Sequence, residues 1–598
     1  VRRVGLAALV ATASACGAGE AARLPRLSTN WVDDSGASID RVWQRVATSP
    51  VPPVADVVVG VAGQNEELLG LPLDGSPKWT LSHALDARPV VAGGVVVGSG
   101  AGEVFAADAK TGKVFWRTPT PGMALLGAGD DGAATVVSLR TMDGTRHRLL
   151  GVGRDGIPLL TIDTEVPLGT PAVVAHLAFV PWAGQYISVI DLATGDEIGR
   201  ATLREETTRA WTSGGALWFG QKSFIRFDAH IREASRGGAS MVTAETDDLP
   251  GEPRVGMPGT AHVFAAANAA DEVRAYARPD AAQAGAALVD GRVYSTYFRL
   301  AFGALPGKKG EVAWVHVHPA SFLGGGVEEG DIVLCDEAGN VTELDGRTGG
   351  VVSELSLGKP LKACVVSVDA HRAAAPPAAM KPLAAQISDA VLTDDPQLAV
   401  AQKALIVQLG AVPDEQATAT LVDLASDPRT SPVLLPVARE QLAKRRTGAS
   451  FLEAALAKHY DFLAGVLRPP PVGPIAKAVA TMGDGAAAPL LAEQLLDPAN
   501  TAGDVREAAT ALAVVARPEQ LPTLRRFFGM YRASATDDDT CAAVVGVAKA
   551  ILAVGGKEGR EMLEAAAHDA NTAPGVREPL VDLLTNTQNA GDAGAPGG

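Results

Sequence analysis

The sequence predicts a multidomain β + α protein, an N-terminal seven- or eight-bladed β-propeller followed by an α-solenoid of helix-pair repeats. Three observations point there. A strand–turn–strand signature recurs at intervals of about 40 residues before Asp369, the composition turns Ala- and Leu-rich soon after it, and helix-start signals then recur about every 36 residues.

The signature is clearest over residues 102–117, where Val104 to Ala106 reads as a strand, Asp108 to Gly112 as a reversal and Lys113 to Trp116 as the returning strand. Asp108 can bond its own downstream backbone, and Gly112 can take the positive φ that closes a longer hairpin loop. Trp116 must then find a neighbour, because one hairpin is at best marginally stable in water. Trp79, 37 positions before Trp116, follows Asp74-Gly75 in the same way. Asp191 and Gly195 repeat the five-residue turn but carry Gly199 where Trp is expected, and Asp345 with Gly349 forms a fourth copy. Weaker copies lie at 147–160, 224–236 and 272–284, making seven phases.

These turns resemble the repeat of the pyrroloquinoline-quinone-like propellers. That family holds quinone-dependent dehydrogenases and also non-catalytic bacterial lipoproteins that scaffold outer-membrane protein assembly. The resemblance spans roughly residues 27–369 and is specific for the fold, not for an activity.

Length and composition bound the rest. A chain of 598 residues exceeds one compact core, and 47% apolar with 20% charged residues marks a folded globular protein. A formal net charge of −16 argues against nucleic-acid binding, which needs basic surface to displace counterions from phosphate. Lys444-Arg445-Arg446 reads as a cationic helix C-terminus complementing the helix dipole.

Residues 1–15 read as a signal peptide, with Arg2 and Arg3 ahead of an apolar stretch half the ~20 residues a spanning helix needs. Ala13-Ser14-Ala15-Cys16 resembles a lipobox, which implies acylation at Cys16 and, with Gly17 following, an outer-membrane destination. The alternative is an ordinary signal cleaved near Ala15, with Cys16 incidental. Residues 16–27 suit a tether, and 28–370 the propeller. Asn30-Trp31 or Val42-Trp43 is expected to complete the last blade, since joining first and last strands removes the edges. The apolar runs 54–61, 90–97, 173–180, 216–219 and 293–297 are the candidate inner strands.

Residues 371–380 form a Pro-containing linker, and 381–587 carry a helical period. Asp395 suits an N-cap and Pro396 the first turn behind it. Similar starts near 432, 504, 540 and 575 leave one phase, near 470, to a Pro-rich stretch and the apolar run after it. The Asp-x-x-Val-Arg-like openings resemble HEAT-type repeats, and residues 503–513 read as a helix start of the same kind. Residues 588–598 read as a disordered tail.

No Gly-x-Ser-x-Gly elbow, His-Glu-x-x-His helix or phosphate loop is present in the sequence. The related quinone dehydrogenases carry adjacent cysteines beneath the cofactor, and Cys16, Cys335, Cys364 and Cys541 are nowhere adjacent, so no cofactor is expected. His316 and His318 would share one face of a strand and could bind a metal only if further ligands arrived, a surface or interblade pair being the default. Asp537-Asp538-Asp539 lacks the glycine of a calcium loop and reads as a capping turn. Cys335 and Cys364 are either separate buried thiols, the default, or a disulfide, which an exported protein permits. The sequence therefore points to a non-catalytic scaffold that binds other envelope proteins, with a ligand-binding or catalytic propeller funnel as the alternative.

Overall fold

The computed structural model describes residues 26–29, 35–203, 206–220, 223–227, 242–243, 273–276, 293–304, 312–328, 330–369, 381–459 and 469–592. Cys16, the signal stretch, Trp31, the linker 371–380 and most of 228–292 lie outside them.

Among the described residues seven four-stranded antiparallel sheets make up the N-terminal part. The first takes β1 (Val57–Ala62), β2 (Glu67–Pro72) and β3 (Trp79–Ser82), and the second β4 (Val90–Ala92), β5 (Val95–Gly100), β6 (Glu103–Asp108) and β7 (Val114–Pro119). The third holds β8 (Met123–Asp130), β9 (Ala134–Thr141), β10 (His147–Gly153) and β11 (Pro158–Thr164); the fourth holds β12 (Ala172–Val174), β13 (Leu177–Trp182), β14 (Tyr186–Asp191) and β15 (Glu197–Thr202). In the fifth lie β16 (Arg209–Ser213), β17 (Ala216–Gly220), β18 (Ser223–Arg226) and β19 (Val242–Thr243), and in the sixth β20 (Val273–Tyr276), β21 (Val293–Tyr297), β22 (Leu300–Ala304) and β23 (Val312–Val317). The seventh has β24 (Phe322–Val327), β25 (Asp331–Asp336), β26 (Asn340–Asp345) and β27 (Val351–Ser356). Finally β28 (Leu361–Ser367) crosses to the first sheet and pairs antiparallel with β1, Gly60 facing Cys364.

That pairing closes the β-propeller and corrects the expected closure. Val42-Trp43 is not a strand; it lies in helix α1 (Ser35–Ala47). A C-terminal strand does the work because β1 is otherwise left with one open edge.

The expected inner strands also need correction. The strands that meet around the axis are β4, β8, β12, β16, β20, β24 and β28, whereas runs 54–61, 216–219 and 293–297 fall chiefly on the second strands β1, β17 and β21. Runs 90–97 and 173–180 each straddle a first strand, a turn and a second strand. The second strand is covered on both faces by neighbouring sheets, so β1, β5, β13 and β25 are buried at every position and read as unbroken apolar runs. The outer β7 and β11 are mostly half-buried or exposed instead.

The weak copy at 272–284 is a misassignment, because its described part is the innermost strand β20. Its true counterpart is the β22–β23 hairpin ending in Trp314, which the sequence hides by lacking an Asp-x-x-x-Gly turn. Leu27, placed at the end of the tether, is instead buried beside Leu160 and Leu192, and its N–H reaches Glu197.

Beyond the propeller, helices α2 (Leu383–Val391), α3 (Ala399–Ala411), α4 (Glu415–Ser426), α5 (Leu435–Ala443), α6 (Ala449–Leu456), α7 (Val472–Met482) and α8 (Ala488–Gln494) are followed by α9 (Ala502–Val515), α10 (Leu521–Tyr531), α11 (Asp538–Val554), α12 (Gly556–His568) and α13 (Pro574–Asp592). Helices α3, α5, α7, α9, α11 and α13 stack as one layer, and α4, α6, α8 and α10 line the other. Asp395 and Asp537 cap as expected, accepting from the N–H of Gln397 and Thr540. Near 504 the cap is Thr501, with Asp504 inside the first turn. The phase near 470 is α7 itself. Helix α13 runs to Asp592, into the stretch expected to be tail.

Arg445 corrects another expectation. It is buried and donates to the carbonyls of Gly410, Val412 and Asp414, so it satisfies carbonyls at the end of α3 and in the turn leading to α4 rather than complementing its own helix.

Cys335 and Cys364 are bonded to each other, against the default of separate thiols. Their strands β25 and β28 face each other across the seam between the seventh and first sheets.

Candidate functional site

The repeated turn residues build the walls between sheets. Asp108 Oδ1 accepts from the N–H of Lys110 and Thr111, and Asp345 Oδ1 accepts likewise from Arg347 and Thr348. The loop then closes with Gly112 and Gly349 at φ of 69° each, and Gly195, after Asp191, at 72°. The Gly112 and Gly349 turns each receive an aromatic from the preceding sheet, whereas Gly195 meets Leu160. Trp79 lies over Gly112 and donates from Nε1 to the Ala109 carbonyl at 2.9 Å, while Trp314 lies over Gly349 and donates to the Gly346 carbonyl at 3.0 Å. Trp116 rests on Gly156 of a tighter turn, which offers its indole N–H no acceptor among the described residues. Asp74, beside Gly75 (φ 85°), reaches Lys110 of the next sheet at 2.7 Å.

Gly199 pairs with Val189 at the place where Trp116 pairs with Ala106. Among the described residues no aromatic fills that place, and α1 occupies it. Val42 Cγ2 sits 2.9 Å from where a Gly199 Cβ would stand, with Ile39 and Val46 buried beside it and Arg45 bonded to Asp191 at 2.6 Å. The repeat that lost its anchor is thus packed by an element from elsewhere.

Two recesses are candidates for function. The first is a cavity of about 160 Å³ on the axis, lined by first strands of all seven sheets and by Trp211, Tyr276, Asp130 and Asp369. Asp369 crosses its mouth, accepting from the N–H of Gly214 and of Val54. Asp130 is buried; burial pushes its carboxyl above the usual range, while Thr135 and Arg154 (2.9 Å) pull it back. Both carboxylates are engaged by protein donors.

The second recess, about 280 Å³, lies in the seam where the helices meet the sixth sheet, between His316, the Thr348–Gly350 turn and Lys381, Gln386 and Asp389. The side chains of Gln386 and Gln408 act there as surrogate strand. The Val315 N–H donates to Gln386 Oε1 at 2.9 Å, and Gln408 both accepts from the Val312 N–H and donates to the Val312 carbonyl. Tyr297, Leu300, Phe302, Val312 and Val315 share one buried core with Ile387, Leu398 and Leu405. The helices thereby seal the otherwise open edge of β23.

His316 and His318 do not converge on a metal. His318 pairs with Asp336 of the seventh sheet at 2.8 Å, an interblade contact, whereas burial, and then His318, depresses the His316 imidazole to about 4. Among the described residues no group of three or more His, Cys, Asp or Glu side chains is placed to hold a metal ion, and no helix is long and apolar enough to cross a membrane.

Comparison with known proteins adds the following. The sequence family described as outer membrane protein assembly factor BamB, a pyrroloquinoline-quinone-type repeat, matches residues 34–218, less than half of the chain. No curated protein matches. Similar solved structures include BamB from Moraxella catarrhalis (16% identity, 53% of this chain and 87% of that one, TM-score 0.29) and a europium-containing methanol dehydrogenase (12%, 54% and 82%, 0.29). Apo AztD from Citrobacter koseri is comparable (12%, 52% and 98%, 0.29). Scores this low carry no argument about activity.

Proposed function

We propose that this chain is a non-catalytic scaffold of the cell envelope, exported and lipid-anchored at Cys16 and facing the periplasm or cell surface from the outer membrane. Its seven-bladed propeller and helical solenoid bind other envelope proteins. The observation that carries the reading is the seam. Helices α2 and α3 share a core with the sixth sheet and bond its edge strand, so two broad surfaces stand in one fixed relation. A fixed pair of surfaces suits holding two partners together, and the BamB family match makes an assembly role the natural class.

Crosslinking and capture of the membrane-anchored protein tests this directly. Partners should be retained by the wild type and lost in part when exposed helix-layer residues Val407 and Val514 are both changed to Asp, a change that leaves the buried face intact. A partner set identical for the two proteins would remove the helices from the proposal.

A second reading uses the axial cavity to hold a small ligand. Asp130 and Asp369 at its mouth favour it. Their existing bonds weigh against a free base or nucleophile. Pyrroloquinoline quinone with calcium should produce no spectral shift and no dye-linked alcohol oxidation, and either signal would overturn the non-catalytic reading.

A further inference from the structure

The ring is closed by a strand that arrives last in the chain, and the bond that ties that strand down joins two sheets rather than two positions of one. Cys364 sits in the middle of β28 opposite Gly60 of β1, and Cys335 sits in β25 of the seventh sheet. Both are fully buried, in a cluster with Val58, Leu69, Val333, Leu357 and Val366. Arg88, in the loop that leads from the first sheet into β4, donates to the Cys364 carbonyl at 2.5 Å. Cys364 is therefore tied to the seventh and first sheets and to the segment entering the second.

We propose that Cys335–Cys364 is a latch on the ring closure, formed while the ring is still open by an external disulfide oxidant, and inaccessible to thiols once the ring has closed. The argument is one of access. Thiol–disulfide exchange needs a thiolate to approach a sulfur in line, and neither sulfur is exposed when β28 is seated on β1. Oxidation must precede or accompany seating. In the step two Cys thiols lose two protons and two electrons, forming the protein S–S bond, while the oxidant's own S–S bond breaks and leaves as a dithiol. The class of reaction that must act upstream is therefore dithiol oxidation in a compartment that permits it. Once formed, the bond closes a loop over a separation of 29 residues and keeps β28 beside the seventh sheet whenever its backbone pairs with β1 open.

Three measurements on the full chain test this. In native buffer, dithiothreitol followed by maleimide labelling and peptide mapping should label Cys541, which is free and partly exposed, but leave Cys335 and Cys364 unlabelled; in urea all three should label. Native-buffer labelling of the pair at the urea rate would overturn the claim of inaccessibility. Second, amide exchange in the C335S/C364S variant should rise on the order of 100-fold at Val58, Val59, Val365 and Val366, from the loop-closure term, and stay unchanged at Val136 and Val180 of distant sheets. Exchange unchanged at β28, or raised equally in every sheet, refutes the latch. Third, because the variant could fail to fold, reduced wild type is refolded and oxidised glutathione added before or after folding. Bond formation should be fast only when the oxidant is present from the start, and equal rates for both orders would sink the proposed sequence of events.

Discussion

Trp79 and Gly112 meet across the boundary between the first and second sheets, and their coupling can be measured. Replacing Trp79 with Ala removes a buried indole and its bond to the Ala109 carbonyl, a loss of about 3–5 kcal/mol. Replacing Gly112 with Ala places a Cβ at φ 69° and 2.6 Å from Trp79 Cε3. The left-handed backbone costs about 1–2 kcal/mol and the overlap a further ~1–3 kcal/mol. In the double variant the indole is gone, so the overlap vanishes while the backbone cost remains. The double variant should therefore be more stable than the sum of the singles implies by about 1–3 kcal/mol. Urea unfolding followed by far-ultraviolet dichroism reads this without relying on tryptophan fluorescence. Additivity within about 0.5 kcal/mol would show that indole and turn do not touch, and the reasoning about anchors would fail.

Other perturbations probe other parts. Gly199→Trp should evict α1 and expose residues 35–47 to proteolysis, whereas resistance equal to wild type would mean the helix does not occupy the vacant anchor place. Gln408→Leu leaves both the N–H and the carbonyl of Val312 without their partner and should cost about 1–3 kcal/mol, with faster exchange at β23 as the readout. Burial, with Glu343 and Asp345 nearby, pushes the Asp331 carboxyl up to about 6 against the pull of the Gly346 N–H. The folded chain therefore holds this proton more tightly than the unfolded chain, and the associated stability, full below about pH 4, is lost as pH rises to about 6. Asp331→Asn should gain on wild type through that window and keep a constant advantage above it; a pH-independent difference in Tm would contradict this.

The parts of the fold that were legible in the sequence are those whose local chemistry is obligatory. The Asp108 and Asp345 turns need an acceptor and a positive-φ glycine at fixed spacing, and Asp395 and Asp537 cap helices through their own side chains. What was misread depends on contacts remote in sequence. Second strands read as inner ones because burial on two faces, not proximity to the axis, makes an apolar run. Trp314 escaped notice because its hairpin lacks the turn that flags the others, although Gly303 beneath its ring repeats the Gly70–Trp79 arrangement. The seam with the helices could not be inferred at all, since Gln386 and Gln408 are ordinary helix residues until a strand edge lies beside them.

The empty place at Gly199 has a consequence for symmetry. Seven four-stranded sheets around an axis present similar faces, and a body that recognised only the shared sheet architecture could settle in more than one rotation. Helix α1 marks the fourth sheet and the docked helices mark the sixth, so the rotational degeneracy of the ring is removed at two unequally placed positions. A partner that touches the rim and either mark has one orientation in which to bind. The divergence of a single repeat thereby turns a wheel into an object with a front, a back and a defined heading.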